Sequence, residues 1–340
     1  MNSEWEAGDT NMFTLPPEQF GCYPDVAGTI RNSTFRMPTG SSNDHTFIFR
    51  GGASGHLTIA SSPIRSATSI VYDLVIQGDP ASLDAVVFDG PEPDSVAKSP
   101  TTFTIDTRFP MAPPPSPTGV PSCMRFDITM YVPESLNKLT INITTPIQLT
   151  FSSQAHIELD SLVIGLTNNH PKSRVDVSES LHAKVMYIDM NAGLIHGVIS
   201  IGNSLEITNW NGQIQIDAVP NVVDIINPPT ALLTTTTTAG KVNIRYLRNT
   251  AYRKRTIESH HTMGNAATSC GNFDYECSGF DGVLFLNSTK YNITDVKQWR
   301  QKQPDMPHGD SWAFVLGNRT GQDRIYIKSG TGTIILPDHP

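Results

Sequence analysis

The chain has 340 residues, a net charge of −8 and a charged fraction of only 16%. This length can bury a sizeable core in one large domain or in two ordinary ones. The negative charge argues against a general nucleic-acid binder and against a protein that adheres to anionic membranes. With 25 glycines and 25 prolines the elements should be short, and the composition favours an all-β protein.

The first half of the chain divides into an arm and a region of strands. Residues 1–45 are polar, contain Pro16-Pro17 and show no sustained period, so we expect an N-terminal arm that lies on the body. Between residues 46 and 150, apolar and polar side chains alternate, which predicts an antiparallel β region with one buried face. The proline-rich segment 109–122 interrupts this region and predicts an exposed loop, because proline cannot donate a hydrogen bond to a sheet.

The segment 180–219 repeats itself once. Ile188 aligns with Ile207 and Ile195 aligns with Ile214, an offset of 207 − 188 = 19 residues. Ser161-Leu162 and Ser180-Leu181 have the same offset. A spacing of roughly 20 residues with strand signals and no helix signals is typical of stacked β-coils. We therefore predict a parallel β-solenoid, a β-helix-like stack, over residues 151–340.

Each predicted coil has two strands and two corners. Asn191-Ala192-Gly193 and Asn211-Gly212 occupy equivalent corners, where glycine supplies a positive φ. Two insertions interrupt the coils, at residues 220–230 with a proline pair and at residues 245–280 with a basic start and a Gly/Asn/Ser-rich end.

Four features carry a resemblance to a known family: the corner motif Asn-Ala-Gly or Asn-Gly followed by x-Ile, the Ser-Leu strand starts, the stretch FDGVLFL at 280–286 and the closing TGTI at 331–334. In these features the sequence resembles a fungal cell-surface "putative adhesin" domain family. That family is related to bacterial surface β-solenoid adhesins. The resemblance covers most of residues 46–336. It implies an ectodomain behind a single N-terminal transmembrane helix, without an established activity. The motifs encode coil geometry, and the long insertion departs from the family pattern, so the family's loop lengths cannot be carried over.

Asparagine sequons predict a secreted glycoprotein, extracellular or on the cell surface. The acceptor residues are Asn32, Asn142, Asn287, Asn292 and Asn318. Acidic residues soon after Met1 are unlike a signal peptide, and no apolar run has the roughly 18 residues that a membrane span needs. We therefore expect an upstream targeting or anchoring segment.

The four cysteines, Cys22, Cys123, Cys270 and Cys277, fit two disulfides in an oxidising compartment. Three pairings are possible. We favour Cys270–Cys277, which closes a short loop, and Cys22–Cys123, which ties the arm to the body. No C-x2-C pair is present, so a zinc site is not expected.

Two features are candidates for ligand binding. A basic cluster is interleaved with tyrosines and comprises Arg245, Arg248, Arg253, Lys254 and Arg255. It fits a solvated loop, a surface that binds an anionic glycan, or, at residues 253–255, a proteolytic processing site. Trp210 at a coil corner fits sugar stacking if it is exposed, or packing under the 220–230 loop if it is not.

Polysaccharide hydrolases and lyases also use β-helices, so the carboxylates need weighing. Glu206 and Asp217 are predicted to point outward from adjacent strands, and on one flank they would form a candidate acid–base pair. No repeat-matched Asp-Asp pair, nucleophile elbow or metal-binding histidine motif is present. We therefore expect neither a cofactor nor a metal.

The sequence thus favours a non-catalytic module that acts in adhesion, cell-wall contact or partner interaction, with a cell-wall polysaccharide or a surface protein as its partner. The alternative is a carbohydrate-active enzyme on a β-helix scaffold. A third possibility is a structural scaffold within a membrane-anchored complex.

Overall fold

The structure is a computed structural model. It describes residues 29–64, 66–78, 80–91, 100–107, 124–154, 156–220, 230–247, 256–264, 270–274, 282–287, 290–293, 301–302, 311–316, 322–329 and 333–336.

Strands make up nearly all of the described chain. In order they are β1 (Thr29–Pro38), β2 (Asp44–Gly51), β3 (Ser54–Ser61), β4 (Ser69–Gly78), β5 (Val87–Asp89), β6 (Thr101–Thr107), β7 (Arg125–Val132), β8 (Lys138–Ile143), β9 (Ile147–Phe151), β10 (Ile157–Leu166), β11 (Arg174–Val177), β12 (Leu181–Met190), β13 (Leu194–Ile201), β14 (Ser204–Asn209), β15 (Gln213–Pro220), β16 (Ala231–Thr237), β17 (Lys241–Tyr246), β18 (Ile257–Met263), β19 (Cys270–Asp274), β20 (Gly282–Asn287), β21 (Lys290–Ile293), β22 (Gln301–Lys302), β23 (Ser311–Leu316), β24 (Asp323–Ser329) and β25 (Thr333–Leu336). The helix α1 (Pro80–Asp84) follows β4. Within the described residues, no helical segment combines the length and the hydropathy that crossing a membrane requires.

The strands form two mixed sheets, which confirms the prediction of an all-β fold. Sheet A has the order β1-β4-β7-β3-β9-β11-β13-β15-β17-β19-β25-β21. Sheet B has the order β22-β23-β20-β24-β18-β16-β14-β12-β10-β8-β2-β6-β5. From β8 to β19, successive strands lie alternately in sheet B and sheet A, and each strand from β8 to β17 pairs in parallel with the strand two places further on. A closed solenoid stack stays a prediction.

The expected antiparallel region is itself mixed. Strands β2 and β3 each have two parallel neighbours. Antiparallel pairing in this part of the chain joins β1 to β4, β4 to β7 and β5 to β6. A period-two pattern reports burial of one face and not strand direction, which is why the sequence could not separate the two arrangements.

The predicted register is confirmed in the central coil. Ile188 pairs with Ile207 and Ile195 pairs with Ile214, at the expected offset of 19. The alignment of Ser161-Leu162 with Ser180-Leu181 is wrong, because Leu181 pairs with Ile157, an offset of 181 − 157 = 24. Ser161 lies inside β10, whereas Ser180 precedes β12, so the shared dipeptide does not mark equivalent positions.

Part of the predicted insertion at 245–280 belongs to the sheets. Strand β18 pairs in parallel with β16, and β19 pairs in parallel with β17. The other predicted insertion, 220–230, falls mainly on residues outside those described.

The core lies between the two sheets and consists of apolar rows in register. In sheet A one row runs through Leu149, Val175, Ile195, Ile214 and Val242, all fully buried. The equivalent row in sheet B runs through Ile141, Ile164, Ile188 and Ile207. Full burial of each such side chain stabilises the fold by roughly 1.5–3 kcal/mol.

A column of glycines lies at the turns that immediately precede β13, β15 and β17. A Cβ on Gly212 would overlap the carbonyl oxygen of Gly193, and a Cβ on Gly240 would overlap that of Gly212. Gly193 has the expected positive φ of 113°, but Gly212 and Gly240 are not among the glycines with positive φ. These turns therefore require glycine chiefly because neighbouring backbones leave no space for a side chain.

Two buried polar clusters with the same pattern join the sheets, and we call them the Thr–His–Tyr clamps. In the first, His45 Nδ1 lies 2.8 Å from Thr101 Oγ1 and its Nε2 lies 2.6 Å from the Tyr72 hydroxyl. In the second, His261 Nδ1 lies 2.8 Å from Thr235 Oγ1 and its Nε2 lies 2.8 Å from the Tyr246 hydroxyl.

Each clamp reaches across the core in the same way. The histidine and the threonine are register partners on adjacent strands of sheet B, and the tyrosine comes from sheet A. Burial lowers the pKa of His45 to about 4 and that of His261 to about 3. Asp44 partly opposes the shift at His45, whereas His260 adds to the shift at His261. Both imidazoles are therefore neutral at pH 7.

Replacing Gly212 with alanine should lower the free energy of unfolding by about 1–3 kcal/mol or more, because the new Cβ would lie 2.1 Å from the backbone oxygen of Gly193. Urea unfolding measures this change. Gly165→Ala is the matched control, since its Cβ would meet the flexible end of the Asn142 side chain at 3.1 Å. Equal stability of the two variants would contradict the close packing of the corners.

Stability should fall as the pH is lowered from 6.5 towards 4. The unfolded histidines take up protons near 6.5, whereas the folded ones do so only near 4 and 3, so the unfolded state binds more protons in this window. Each clamp should account for roughly 3 kcal/mol of the loss.

Urea unfolding at pH 7.5, 5.5 and 4.5 measures the effect. His45→Gln and His261→Gln should each reduce the dependence on pH, and His156→Gln, at an exposed position, should leave it unchanged. An unaltered pH dependence in both clamp variants would refute this assignment.

Candidate functional site

A row of interacting polar side chains crosses the outer face of sheet A, and we call it the polar row. It consists of Arg125 and Asp127 on β7, His56 on β3, Gln148 on β9, Arg174 and Asp176 on β11, and His196 on β13. These five strands are neighbours in the sheet. The alternation of each strand buries its apolar side chains in the core and leaves these residues on the outside.

The register places the polar row nearly perpendicular to the strands. His56 pairs with both Asp127 and Gln148, Gln148 pairs with Arg174, and Asp176 pairs with His196. With a strand spacing of about 4.8 Å, five strands span roughly 19 Å. The row is therefore an extended surface and not a pocket.

Hydrogen bonds link the members of the polar row. His56 Nε2 lies 2.9 Å from Gln148 Oε1, and Gln148 Nε2 donates to Asp176 Oδ2 at 3.3 Å. Arg174 Nε donates to Asp176 Oδ1 at 2.6 Å, and its Nη2 lies 3.3 Å from His196 Nδ1. The Asp176 carboxylate requires a donor from Gln148, which fixes the amide orientation and makes Gln148 Oε1 the acceptor for His56.

The other end of the polar row is less completely bonded. Arg125 Nη2 donates to Asp127 Oδ2 at 3.4 Å. Asp127 Oδ1 is buried and has no hydrogen-bond partner in the described part of the chain, and it lies 3.9 Å from His56 Nδ1. Burial lowers the pKa of His56 to about 4 and raises the pKa of Asp127. His56 is therefore neutral at pH 7, with its proton on Nε2.

The carboxylate pair considered for catalysis is not assembled. Glu206 is on β14 of sheet B, and Asp217 is on β15 of sheet A. Both side chains point away from the core, so they face opposite sides of two sheets that pack about 10 Å apart. Glycosidases need two carboxyl groups about 5–9.5 Å apart on one cleft. The expectation of a common flank is wrong, because adjacent strands along the chain belong to different sheets.

Of the five residues of the basic cluster, the structure describes Arg245. Arg245 on β17 binds the Asp217 carboxylate with both Nε and Nη2, so its charge is matched on the sheet surface. The other members, Arg248, Arg253, Lys254 and Arg255, lie outside the described residues.

Trp210 is exposed at the corner between β14 and β15, with 46% of its surface accessible. The condition for sugar stacking is thus met, although binding itself stays a prediction.

The sequence reasoning missed a second aromatic feature on sheet B, where His260, Tyr326 and Phe285 are register partners on β18, β24 and β20. Their rings stack with centroids 4.7 and 4.8 Å apart and interplanar angles of 9° and 6°.

This aromatic ladder differs from Trp210 in what it exposes. Each ring covers a face of its neighbour, so the ladder presents mainly ring edges to the outside. Stacking of a sugar needs a free ring face. The ladder therefore stabilises the coils more readily than it binds a ligand.

The structure describes some of the asparagines and cysteines that were predicted to be modified. Asn32 on β1 and Asn142 on β8 are exposed, Asn287 on β20 is half-buried, and Asn292 is on β21. Asn318 lies outside the described residues. So do Cys22, Cys123 and Cys277, which leaves both favoured disulfides untested, while Cys270 is the first residue of β19. Among the described residues, no three metal-ligating side chains form a group that could hold a metal ion.

No protein-family model matches the chain. No curated protein matches it. The resemblance to the fungal family therefore stays a prediction.

Several solved structures are similar to the chain at low sequence identity. One is a "putative adhesin" from Bacteroides fragilis, with 10% identity, coverage of 91% of this chain and 97% of that chain, and a TM-score of 0.41. Another is a "putative adhesin" from Parabacteroides merdae, with 10% identity, coverage of 92% and 97%, and a TM-score of 0.32. A "putative lipid binding protein" from Parabacteroides distasonis has 11% identity, coverage of 90% and 97%, and a TM-score of 0.30. TM-scores of this size carry no argument about the present chain.

Proposed function

We propose that the chain is a non-catalytic module, extracellular or on the cell surface, that acts in adhesion, cell-wall contact or partner binding. The observation that carries this proposal is the parallel register of the two sheets. It aligns the outward side chains of neighbouring coils into rows and so builds broad, regular outer faces. Such faces suit contact with an extended partner, a cell-wall polysaccharide or a surface protein.

The same register supports a finer structural proposal, namely that the coils form a closed β-solenoid stack. Successive strands alternate between the sheets from β8 to β19, as a winding chain requires. In a full-length form, an N-terminal transmembrane helix would hold the module at the surface, as the resemblance to the fungal family implies.

The alternative of a polysaccharide hydrolase or lyase is weakened by the positions of the carboxylates. Glu206 and Asp217 face opposite sides of the molecule. Within the polar row, Asp127 and Asp176 are separated by three strand intervals, or roughly 14 Å, which exceeds the separation in either class of glycosidase.

Binding and turnover can be separated in one experiment. The purified chain should bind, saturably, to members of an array of cell-wall polysaccharides and surface glycoproteins, while releasing no reducing ends from the same polysaccharides. A heat-denatured sample is the binding control. Turnover that is lost in Glu206→Gln or Asp217→Asn would overturn the proposal in favour of an enzyme.

A scaffold role would give a different result. Purification from native membranes would then yield fixed partners in stoichiometric amounts, together with no binding to the array.

Secretion predicts N-linked glycans. When the chain is expressed through a eukaryotic secretory pathway, Asn32 and Asn142 should be modified, because both side chains are exposed on strand faces. Endoglycosidase treatment should lower the intact mass, and Asn32→Gln should remove one glycan. An unmodified mass in the secreted wild-type chain would contradict the prediction.

A further inference from the structure

We propose that the outer face of sheet B binds a protein partner through that partner's arginine side chains, at a surface that we call the acidic–aromatic patch. The patch consists of Tyr187 and Asp189 on β12, Glu206 and Thr208 on β14, and Trp210, which follows β14. This inference rests on the proposed function and deepens it, because it names a surface protein as the partner and gives the place of contact.

The strand register brings the members of the acidic–aromatic patch together. Tyr187 pairs with Glu206, and Asp189 pairs with Thr208, on adjacent parallel strands. The Trp210 amide donates to the last carbonyl oxygen of β12, so the pairing continues as far as this turn. The intervening residues of both strands alternate with the patch and face the core. The side chains of the patch therefore point outward from one face.

Two exposed aromatic rings mark the patch as a contact surface. Tyr187 is 43% exposed and Trp210 is 46% exposed. Of the large apolar side chains that are well exposed in the described part of the chain, these two are aromatic, and both fall on the patch. Exposed Tyr and Trp are enriched at protein–protein interfaces, where they supply much of the binding free energy.

The two carboxylates of the patch differ from others on the outer faces of the sheets. Asp189 and Glu206 are exposed and form neither an ion pair nor a hydrogen bond with any residue that the structure describes. In contrast, Asp160, Asp176 and Asp217 each pair with a lysine or an arginine. An incoming cation can therefore bind Asp189 or Glu206 without first breaking an internal ion pair.

The strands around the patch do not compensate its negative charge. Strands β10, β14 and β16 contain neither lysine nor arginine. The lysine of β12, Lys184, is matched by Asp160 at 2.6 Å. Burial lowers the pKa of His182, which keeps this imidazole neutral at pH 7. The patch is thus negative and complements a cationic partner.

Arginine fits both elements of the patch. A guanidinium group stacks flat on an aromatic ring and forms two parallel hydrogen bonds with a carboxylate. Tyr187 and Glu206 are register partners about 4.8 Å apart, so they offer a ring and a carboxylate to one guanidinium. Asp189 and Trp210 lie diagonally across the same two strands, with Cα atoms roughly 8 Å apart, and offer a second such pair.

The distance between the two rings predicts the spacing of the arginines. Tyr187 and Trp210 are separated by one strand interval and four residues along the strand, or roughly 14 Å between Cα atoms. An extended peptide advances roughly 3.3 Å per residue, and its alternate side chains face one way. Two arginines at positions i and i+4 of an extended segment would therefore reach both rings.

Fluorescence polarisation at low salt concentration tests the inference with the full chain. The probe is a labelled peptide that has two arginines four positions apart in a Gly/Ser background. The wild-type chain should bind this peptide saturably, and the affinity should fall as the salt concentration rises. A peptide with lysines in place of both arginines should bind at least threefold more weakly, because an ammonium group lacks the planar fork.

Matched variants locate the binding. Glu206→Gln removes the charge and Trp210→Ala removes a ring, so each should weaken binding at least fivefold. Glu258→Gln and Leu232→Ala make equivalent changes on the same face outside the patch, and both should stay within twofold of wild type. Tyr187→Ala is a second aromatic variant that leaves the turn at Trp210 intact. Circular dichroism melting confirms that each variant is folded.

Two results would overturn the inference while leaving the proposed function standing. One is the absence of saturable binding of the arginine peptide to the wild-type chain, and the other is an equal loss of affinity in patch and control variants. If Trp210→Ala abolished binding to a neutral polysaccharide while the arginine peptide stayed unbound, the ring would be assigned to sugar stacking instead. The proposed function itself fails only if the wild-type chain binds no member of the array.

Discussion

Direct contact between the backbones of paired parallel strands and of the turns that precede them is the constraint on which the rest of this structure depends. At Gly193, Gly212 and Gly240 a Cβ would overlap neighbouring backbone, so these turns lie in direct contact with one another. Inside, the same contact stacks Ile195 on Ile214 and Ile188 on Ile207. Outside, it aligns side chains that are distant in the chain into rows. The polar row exists only because five strands are held in one register.

Buried polar groups add to the apolar rows in fixing how the two sheets pack together. Each Thr–His–Tyr clamp puts a neutral imidazole within the core and satisfies both of its nitrogens from opposite sheets. A buried polar group that is fully bonded fixes one arrangement of its surroundings, since a shifted register would leave it unsatisfied. The clamps lie at separate positions in the strand order of both sheets, and they thereby fix the pairing of the two sheets in two places.

The sequence predicted the fold correctly where apolar side chains repeat at a fixed spacing. It failed where two arrangements differ only in the direction of the paired strands. The alternation of Ile, Leu and Val gave the strands, and the spacing of Ile195 and Ile214 gave the central register. Parallel and antiparallel strands have the same alternation, so the pairing of β2 and β3 was mispredicted. The coil from β10 to β12 was misaligned because a Ser-Leu dipeptide is too short to mark a position.

The candidate site was harder to predict for a physical reason. His56 and Gln148 are 92 positions apart in the chain, and no local pattern relates them until the strand order is known. For the same reason Glu206 and Asp217, close in sequence, seemed to be neighbours although they lie on opposite faces. Adjacent residues in a strand point to opposite sides, so one of His260 and His261 had to face the core.

The offset between paired strands varies from 214 − 195 = 19 residues in the central coil to 232 − 204 = 28 in the next, and to 324 − 258 = 66 between β18 and β24. The pairing of two strands thus does not depend on the number of residues that connect them. Insertions and deletions can change the length of these connections while the paired strands stay the same. Each doubling of loop length adds only about 0.6 kcal/mol to the free-energy cost of closing the loop. An architecture of this kind lets its loops diversify rapidly on an inherited frame of strands.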